Sequence, residues 1–177
     1  SNLEIKKVKK ELKEGLKENY YLSNREWPYK NVPRKIIAEK YMSDSNELEA
    51  NKGLTDYKFY CFDGKVKFLY VSTGLENHET ARISFLNIDW TFANFGRTYY
   101  LPLEKLPPKP LYFDEMLKIA EKLSKGYPFL RVDLYEIKGQ IYFGELTFSP
   151  AAGFMPFNPS SADLELGKML KLKSRKI

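Results

Sequence analysis

Four polar side chains near the end of the chain lie in two consecutive segments that both have the composition of β-strands. Arg131 and Asp133 belong to the first segment, and Glu145 and Thr147 belong to the second. Successive side chains of a strand point to opposite faces, so the odd-numbered positions of each strand share one face. If the two strands pair odd with odd, an arginine, two carboxylates and a hydroxyl meet on one face of a sheet.

The connection between these strands decides whether they pair in that way. The segments 129–138 and 140–148 flank Gly139, which is a natural turn residue. A connection with an odd number of residues aligns odd positions with odd positions. We therefore predict a three-residue loop with Gly139 in the left-handed conformation, and all four polar side chains on one face.

Two carboxylates on neighbouring strands repel each other unless a positive charge lies between them. A divalent cation is one solution, because carboxylate oxygens are the ligands that Mg²⁺ prefers. An ion pair between Arg131 and Glu145 is the other solution. The residue pattern alone leaves both open.

The rest of the chain predicts an α+β fold, with a largely antiparallel sheet flanked by helices. Asp63-Gly64 between two aromatic, alternating segments is a strong hairpin signal. Gly126 follows an amphipathic segment and predicts the end of a helix. The predicted helices cover 3–17, 113–125 and, with Ser161 as its N-cap, 161–172, and the predicted strands cover 34–42, 55–62, 65–72, 82–89 and the two segments around Gly139.

Composition excludes several classes of protein. The 177 residues contain 29 Lys+Arg and 23 Asp+Glu, and most of the resulting net charge of +6 comes from a basic C-terminal tail, so we expect no nucleic-acid partner. No apolar run approaches the about 20 residues of a membrane span. The single cysteine, Cys61, excludes an internal disulfide and fits a cytoplasmic location. The single histidine, His78, excludes a histidine-rich metal site within the chain.

The strand pair resembles the closing motif of ATP-grasp enzymes, an Arg-x-Asp strand followed about a dozen residues later by Glu-x-Asn. The resemblance implies that Asp133, Glu145 and Thr147 ligate Mg²⁺ on the phosphates of ATP, with Thr147 standing where the family has Asn. It also implies a catalytic role for Arg131, which would stabilise charge as an acyl phosphate forms and is attacked.

Two segments further upstream extend the resemblance. The segment 36–42 resembles the ATP-grasp hinge strand, which implies that Glu39, Lys40, Tyr41 and Met42 bind ATP, with the Lys40 carbonyl and the Met42 amide facing the adenine. Asp56-Tyr57-Lys58-Phe59 resembles the strand that returns after the hinge, which implies an ATP contact for Lys58. Considered by its residues alone, 34–42 also fits an ordinary buried strand.

Taken together and in this order, the segments from about 19 to 172 resemble the TupA-like ATP-grasp family of teichuronopeptide and cell-surface polysaccharide biosynthesis. The implied activity is that of an ATP-dependent carboxylate–amine ligase with an acyl-phosphate intermediate. The implied substrates are the carboxylate of a polysaccharide or its precursor, and an amino acid or other amine. By the same resemblance His78 would be a substrate-side acid or base, whereas its residue context also fits a loop histidine with no catalytic duty.

The chain also departs from that family. It begins Ser1-Asn2-Leu3 without Met, contains no lysine-bearing Gly-rich segment ahead of the hinge, and has no arginine at 73–75. We therefore expect the C-terminal part of an ATP-grasp domain, with a hinge strand and hairpin at 34–73 and a metal-site hairpin at 129–149, inactive on its own. The alternatives are a glycosyltransferase, although no Asp-x-Asp triplet occurs, and an inactive binding fragment.

Overall fold

The computed structural model describes residues 4–42, 54–73 and 81–172. The chain divides into two compact units, Ser1–Tyr41 and Met42–Ile177. Among the described residues, none of the helices is long and apolar enough to cross a membrane.

The first unit contains two helices and a 3₁₀ turn. Helix α1 covers Ile5–Gly15, which confirms the predicted first helix, and helix α2 covers Tyr20–Asn24. The side chain of Asn19 caps α2 by accepting a hydrogen bond from the Tyr21 amide, so one of the unsatisfied donors of the helix N-terminus gains a partner. The 3₁₀ turn covers Trp27–Tyr29.

The predicted hinge strand at 34–42 is wrong, because the structure has no regular secondary structure there. Ile37 is 77% exposed and Tyr41 is 85% exposed. The β-branched pair Ile36-Ile37 suggested a strand, but propensity stabilises a strand only when a neighbouring strand completes its hydrogen bonds. None of the described strands pairs with this segment.

The second unit is built on a five-stranded sheet in which all neighbours are antiparallel. The strands are β1 (Asp56–Phe62), β2 (Lys65–Thr73), β3 (Arg82–Asn87), β5 (Phe129–Ile137) and β6 (Gln140–Thr147), while β4 (Gly96–Arg97) and β7 (Phe157–Asn158) form a separate two-stranded ladder. The spatial order of the sheet is β3-β2-β1-β5-β6, so the hairpins β1–β2 and β5–β6 are neighbours through β1 and β5.

Both hairpins close with two-residue turns. Asp63 and Gly64 have φ values of 50° and 73°, as the predicted Asp-Gly turn requires. Lys138 and Gly139 have φ values of 51° and 75°, and Ile137 pairs directly with Gln140. The predicted three-residue loop is therefore wrong, because Lys138 also adopts the left-handed conformation and the turn needs no third residue.

A β-bulge in β6 restores the odd-with-odd alignment that the turn does not provide. Next to the turn, Leu134 pairs with Phe143, so even positions face odd ones. The register then shifts between Val132 and Leu134, and Arg131 pairs with Thr147. Two residues of β6, Gly144 and Glu145, thus lie opposite the single residue Asp133, which is the arrangement of a bulge.

One face of the sheet packs against helix α3, which covers Phe113–Ser124 and confirms the predicted helix. Gly126 follows it with a φ of 89°. Cys61 lies in this core, where burial raises the pKa of its thiol to about 11 and so disfavours the thiolate form at neutral pH. The central residues of this core are Phe59, Leu69, Val71, Leu130, Val132, Leu134, Phe113, Met116 and Ala120.

The opposite face has an aromatic half and a polar half. The aromatic half is covered by helix α4 (Ser161–Gly167) and by the β4–β7 ladder. Helix α4 is shorter than predicted, because Gly167 is a poor helix former. Ser161 is its first residue rather than its cap. The aromatic half contains Tyr60, Phe62, Phe68, Phe85, Phe95 and Phe157.

We predict that the Gly144→Ala variant is destabilised by about 1–3 kcal/mol. A Cβ atom at Gly144 would lie 2.9 Å from the ring of Tyr135 and 3.0 Å from the Asp133 carbonyl oxygen, so the bulge has to shift. Urea denaturation of wild type and variant measures the change. Gly96→Ala is the matched control in a strand, since a Cβ there meets no atom within 4 Å. Equal stability of the two variants would contradict a tightly packed bulge.

Candidate functional site

The polar half of the sheet brings the four predicted polar side chains together. Arg131 donates two hydrogen bonds to Asp133, from Nε to Oδ1 and from Nη2 to Oδ2, both at 2.7 Å. Its Nη2 also donates to Glu145 Oε1 at 2.5 Å, and Thr147 Oγ1 donates to the same oxygen at 2.6 Å. The predicted shared face is therefore confirmed, with the bulge supplying the alignment.

Strand β1 adds a second cation to this cluster. Lys58 pairs in register with Asp133, and its Nζ contacts Asp133 Oδ2. The same Nζ lies 2.5 Å from Oδ2 of Asp56. Sequence reasoning selected Lys58 but missed Asp56, although the spacing of two along a strand places both side chains on one face.

Burial makes the pairing in this cluster necessary. The side chain of Asp133 is 1% exposed, and both of its oxygens accept hydrogen bonds from cationic groups. A buried carboxylate without such partners would cost several kcal/mol. Arg131 and Lys58 therefore give the buried Asp133 carboxylate two positively charged partners inside the sheet face.

The pKa values follow from burial and neighbouring charges. Burial acts to lower the pKa of Lys58, but the charges of Asp133 and Asp56 outweigh it and the pKa is raised. Burial raises the pKa of Asp56, and this effect exceeds the opposing effect of Lys58. Burial also acts to raise the pKa of Glu145, but the hydrogen bond from Thr147 and the charge of Arg131 leave it lowered.

Two buried polar atoms at the edge of the cluster have no hydrogen-bond partner within the described part of the chain. They are Oδ1 of Asp56 and Oγ of Ser72, which occupy paired positions on β1 and β2. Buried polar groups without a partner are rare in folded proteins. Asp56 thus retains a free acceptor oxygen next to the ammonium group of Lys58.

The donor atoms of the cluster suit Mg²⁺, since carboxylates and hydroxyls are hard oxygen ligands. The side chain of Glu145 is 59% exposed, so the cluster is open to solvent on that side. Within 4–42, 54–73 and 81–172, no three acidic, cysteine or histidine side chains are grouped to hold a metal ion. A metal ion at Asp133 and Glu145 would have to compete with Arg131 and Lys58.

Four further predicted site residues lie at the boundary between the two units along the chain. Glu39, Lys40 and Tyr41 end the first unit and Met42 begins the second, and all four lie outside any helix or strand. Their role in binding adenine stays a prediction. His78 lies outside the described residues.

A sheet face that presents an arginine and two carboxylates from adjacent antiparallel strands is the arrangement that the resemblance of the sequence to ATP-grasp enzymes implies. A model of the family described as TupA-like ATPgrasp matches residues 1–171. The chain therefore belongs to the TupA-like ATP-grasp family. No curated protein and no solved structure is significantly similar to it.

We predict that Lys58→Met lowers the free energy of unfolding by about 3 kcal/mol, because it leaves the buried Asp133 and Asp56 with one cation fewer. Chemical denaturation at neutral pH measures the loss. Lys65→Met is the control: Lys65 pairs with Glu121 but is 67% exposed, so less than about 1 kcal/mol should be lost. Similar losses in both variants would show that the buried ion pairs do not stabilise the sheet.

Proposed function

We propose that this chain carries the metal-ligating side of an ATP-dependent carboxylate–amine ligase that works through an acyl phosphate. The single observation behind the proposal is the Arg131 guanidinium, which bridges Asp133 and Glu145 on one sheet face in a member of the TupA-like ATP-grasp family. Catalysis of this kind depends mainly on positioning and on neutralising charge.

In this proposal Asp133, Glu145 and Thr147 hold Mg²⁺, which when bound would neutralise the phosphates of ATP. Arg131 keeps a fixed orientation through its paired hydrogen bonds to Asp133. Its charge, at the solvent-open side near Glu145, would stabilise the negative oxygens of the acyl phosphate.

Lys58 and Asp56 have complementary roles in the same proposal. Lys58 contacts both Asp133 and Asp56, and Asp56 has a second oxygen without a partner. With a metal ion bound at Asp133, Lys58 would remain paired with Asp56, and its charge would be available to the nucleotide phosphates. Asp56 thus positions Lys58 without touching the nucleotide.

The remaining assignments are proposals that rest on family membership. Glu39, Lys40, Tyr41 and Met42 would contact the adenine, and the substrates would be a cell-surface polysaccharide or precursor carboxylate and an amino acid or other amine. His78 would act on the substrate side. We place the reaction in the cytoplasm, where ATP is available.

An inactive binding protein is the second candidate, and one observation favours it. Both oxygens of Asp133 are already bonded to cations of the protein, as in a purely structural ion-pair network. The two candidates differ in metal binding: the ligase requires that Asp133 and Glu145 bind a divalent cation, whereas the inactive protein does not.

We predict that Asp133→Asn and Glu145→Gln each lower Mg²⁺-dependent ATP turnover by the full-length protein by about 10²–10³-fold. Each change removes a negative oxygen ligand and keeps the side-chain shape. Mn²⁺ binding to the same variants, followed by electron paramagnetic resonance, should weaken in parallel. Asp114→Asn is the control, because Asp114 is exposed at the start of α3. Unchanged Mn²⁺ binding in both site variants would favour the inactive candidate.

We further predict that the 177-residue chain alone binds ATP with Mg²⁺ only at about millimolar concentration or more weakly. The proposed site supplies ligands for the metal, but the phosphate-gripping Gly-rich segment of the family does not occur in the sequence. Isothermal titration calorimetry tests this. Micromolar affinity would show that the chain contains a complete nucleotide site. It would contradict the proposal that the chain carries only the metal-ligating side of that site.

A further inference from the structure

A cavity of about 370 Å³ lies on the aromatic half of the sheet, within the second unit. Its floor is formed by the sheet, and its walls come from the 3₁₀ segment Pro150–Gly153, strand β7 and helix α4. The volume falls in the range of small-molecule sites. Most of the lining is apolar, including Phe62, Phe68, Phe129, Phe157, Leu166 and Leu170.

Arg97 is the one cation among the described residues that line this apolar cavity. The Arg97 guanidinium stacks 4.0 Å from the ring centroid of Phe157, its Nη2 donates to the Tyr60 hydroxyl at 3.3 Å, and its Nη1 donates to the Met155 carbonyl. These contacts fix the plane of the guanidinium, and none of the three partners carries a negative charge.

Arg97 forms no ion pair with any carboxylate of the described ranges. Asp163 lines the same cavity, but its Oδ1 accepts a hydrogen bond from the Phe157 amide and no ion pair joins it to Arg97. A partly buried, oriented arginine without an acidic partner suits a ligand carboxylate, because the guanidinium fork matches carboxylate geometry.

We propose that this cavity binds a carboxylate carried on an aromatic or branched aliphatic body. Arg97 would bind the carboxylate, and the phenylalanine rings and leucines would enclose the body. A sugar ring fits less well, because each hydroxyl needs a hydrogen-bond partner. Among the described lining residues, charged or hydroxyl-bearing side chains come only from Tyr60, Arg97, Ser149 and Asp163.

The position of the cavity connects it to the candidate site. Tyr60, which contacts Arg97, pairs in register with Arg131 across β1 and β5. This extension rests on the proposed ligase function: the ligand would be either an apolar amino acid that supplies the amine, or an apolar carboxylic acid that takes the place of the polysaccharide carboxylate as the acid substrate. Both sources share the chemistry that the cavity recognises.

Three probes with the same phenylethyl body separate these possibilities: L-phenylalanine, 3-phenylpropionate and 2-phenylethylamine. Each is titrated into the 177-residue chain, without ATP or metal, and followed by NMR. We expect L-phenylalanine and 3-phenylpropionate to bind, with nuclear Overhauser contacts from the phenyl ring to the methyl groups of Met155 and Leu166. The amine, which lacks a carboxylate, should not bind.

The relative affinities then assign the source of the ligand. Tighter binding of L-phenylalanine identifies the amine substrate, and tighter binding of 3-phenylpropionate identifies the acid substrate. Absence of binding by both carboxylates up to about 10 mM, or equal binding of the amine, would overturn the proposal.

The variant Arg97→Gln should weaken binding of the carboxylates about tenfold or more, as expected for a lost charge-assisted hydrogen bond. Arg82→Gln is the matched control, because Arg82 lies on β3 and pairs with Glu104 away from the cavity lining. Unchanged affinity in a folded Arg97→Gln variant would overturn the role of Arg97.

A second variant keeps the test decisive if Arg97→Gln does not fold. Leu170 lines the cavity and is partly exposed, so Leu170→Trp should fill the space for the phenyl ring without burying new polar groups. Loss of the ring contacts to Met155 and Leu166 is expected, and their persistence would place the ligand elsewhere. No nucleotide takes part in these titrations, so failure of the cavity proposal leaves the ligase proposal intact. Failure of the ligase proposal likewise leaves the cavity proposal intact.

Discussion

The second unit is organised around one buried carboxylate, Asp133, which lies between the cations Arg131 and Lys58. A fully buried acid must be paired, so β1 and β5 have to be neighbours in the register that places Lys58 opposite Asp133. A shift of that register by one residue would turn the side chains of one strand to the opposite face and leave the acid without Lys58. The apolar core under α3 and the ion pairs above the sheet therefore specify the same alignment.

Glu145 joins this network through the β-bulge in its strand. It lies on β6, which a two-residue turn would align with its even positions toward Arg131 and Asp133. The bulge at Gly144 and Glu145 corrects the register within the strand, and the absence of a side chain at Gly144 lets β6 approach Tyr135 and the Asp133 backbone. The exposed Glu145 carboxylate thus contacts Arg131 while the buried Arg131–Asp133 pair remains in place. One side of the cluster is therefore closed, and the other is open to a ligand.

Sequence reasoning succeeded where local chemistry decides the structure. The Asp63-Gly64 turn, helix α3 and the alternation along β5 are encoded by adjacent residues, and the structure has them as expected. The predicted strand at 34–42 was wrong, because none of the described strands pairs with this segment and β-propensity alone does not stabilise a strand. The β4–β7 ladder could not be foreseen either, because two-residue strands show no alternation.

The site was predicted in part for the same reason. The alternation of side chains along each strand correctly predicted a shared face for Arg131, Asp133, Glu145 and Thr147. The loop proposed for that alignment was wrong. Asp56 was missed because its importance comes from contact with Lys58 across a distance that the sequence does not show. Arg97 was also missed, since its surroundings come from Tyr60, Met155 and Phe157, which are far apart along the chain.

The bulge in β6 has a consequence for how the protein behaves among other copies of itself. Within the described residues β6 is an outer strand of the sheet, with backbone groups on its free side that could pair with a strand of another molecule. A bulge interrupts the even spacing of those groups and increases the local twist, so a second strand cannot continue the ladder past Gly144. The same irregularity that presents Glu145 therefore also protects the sheet against edge-to-edge aggregation.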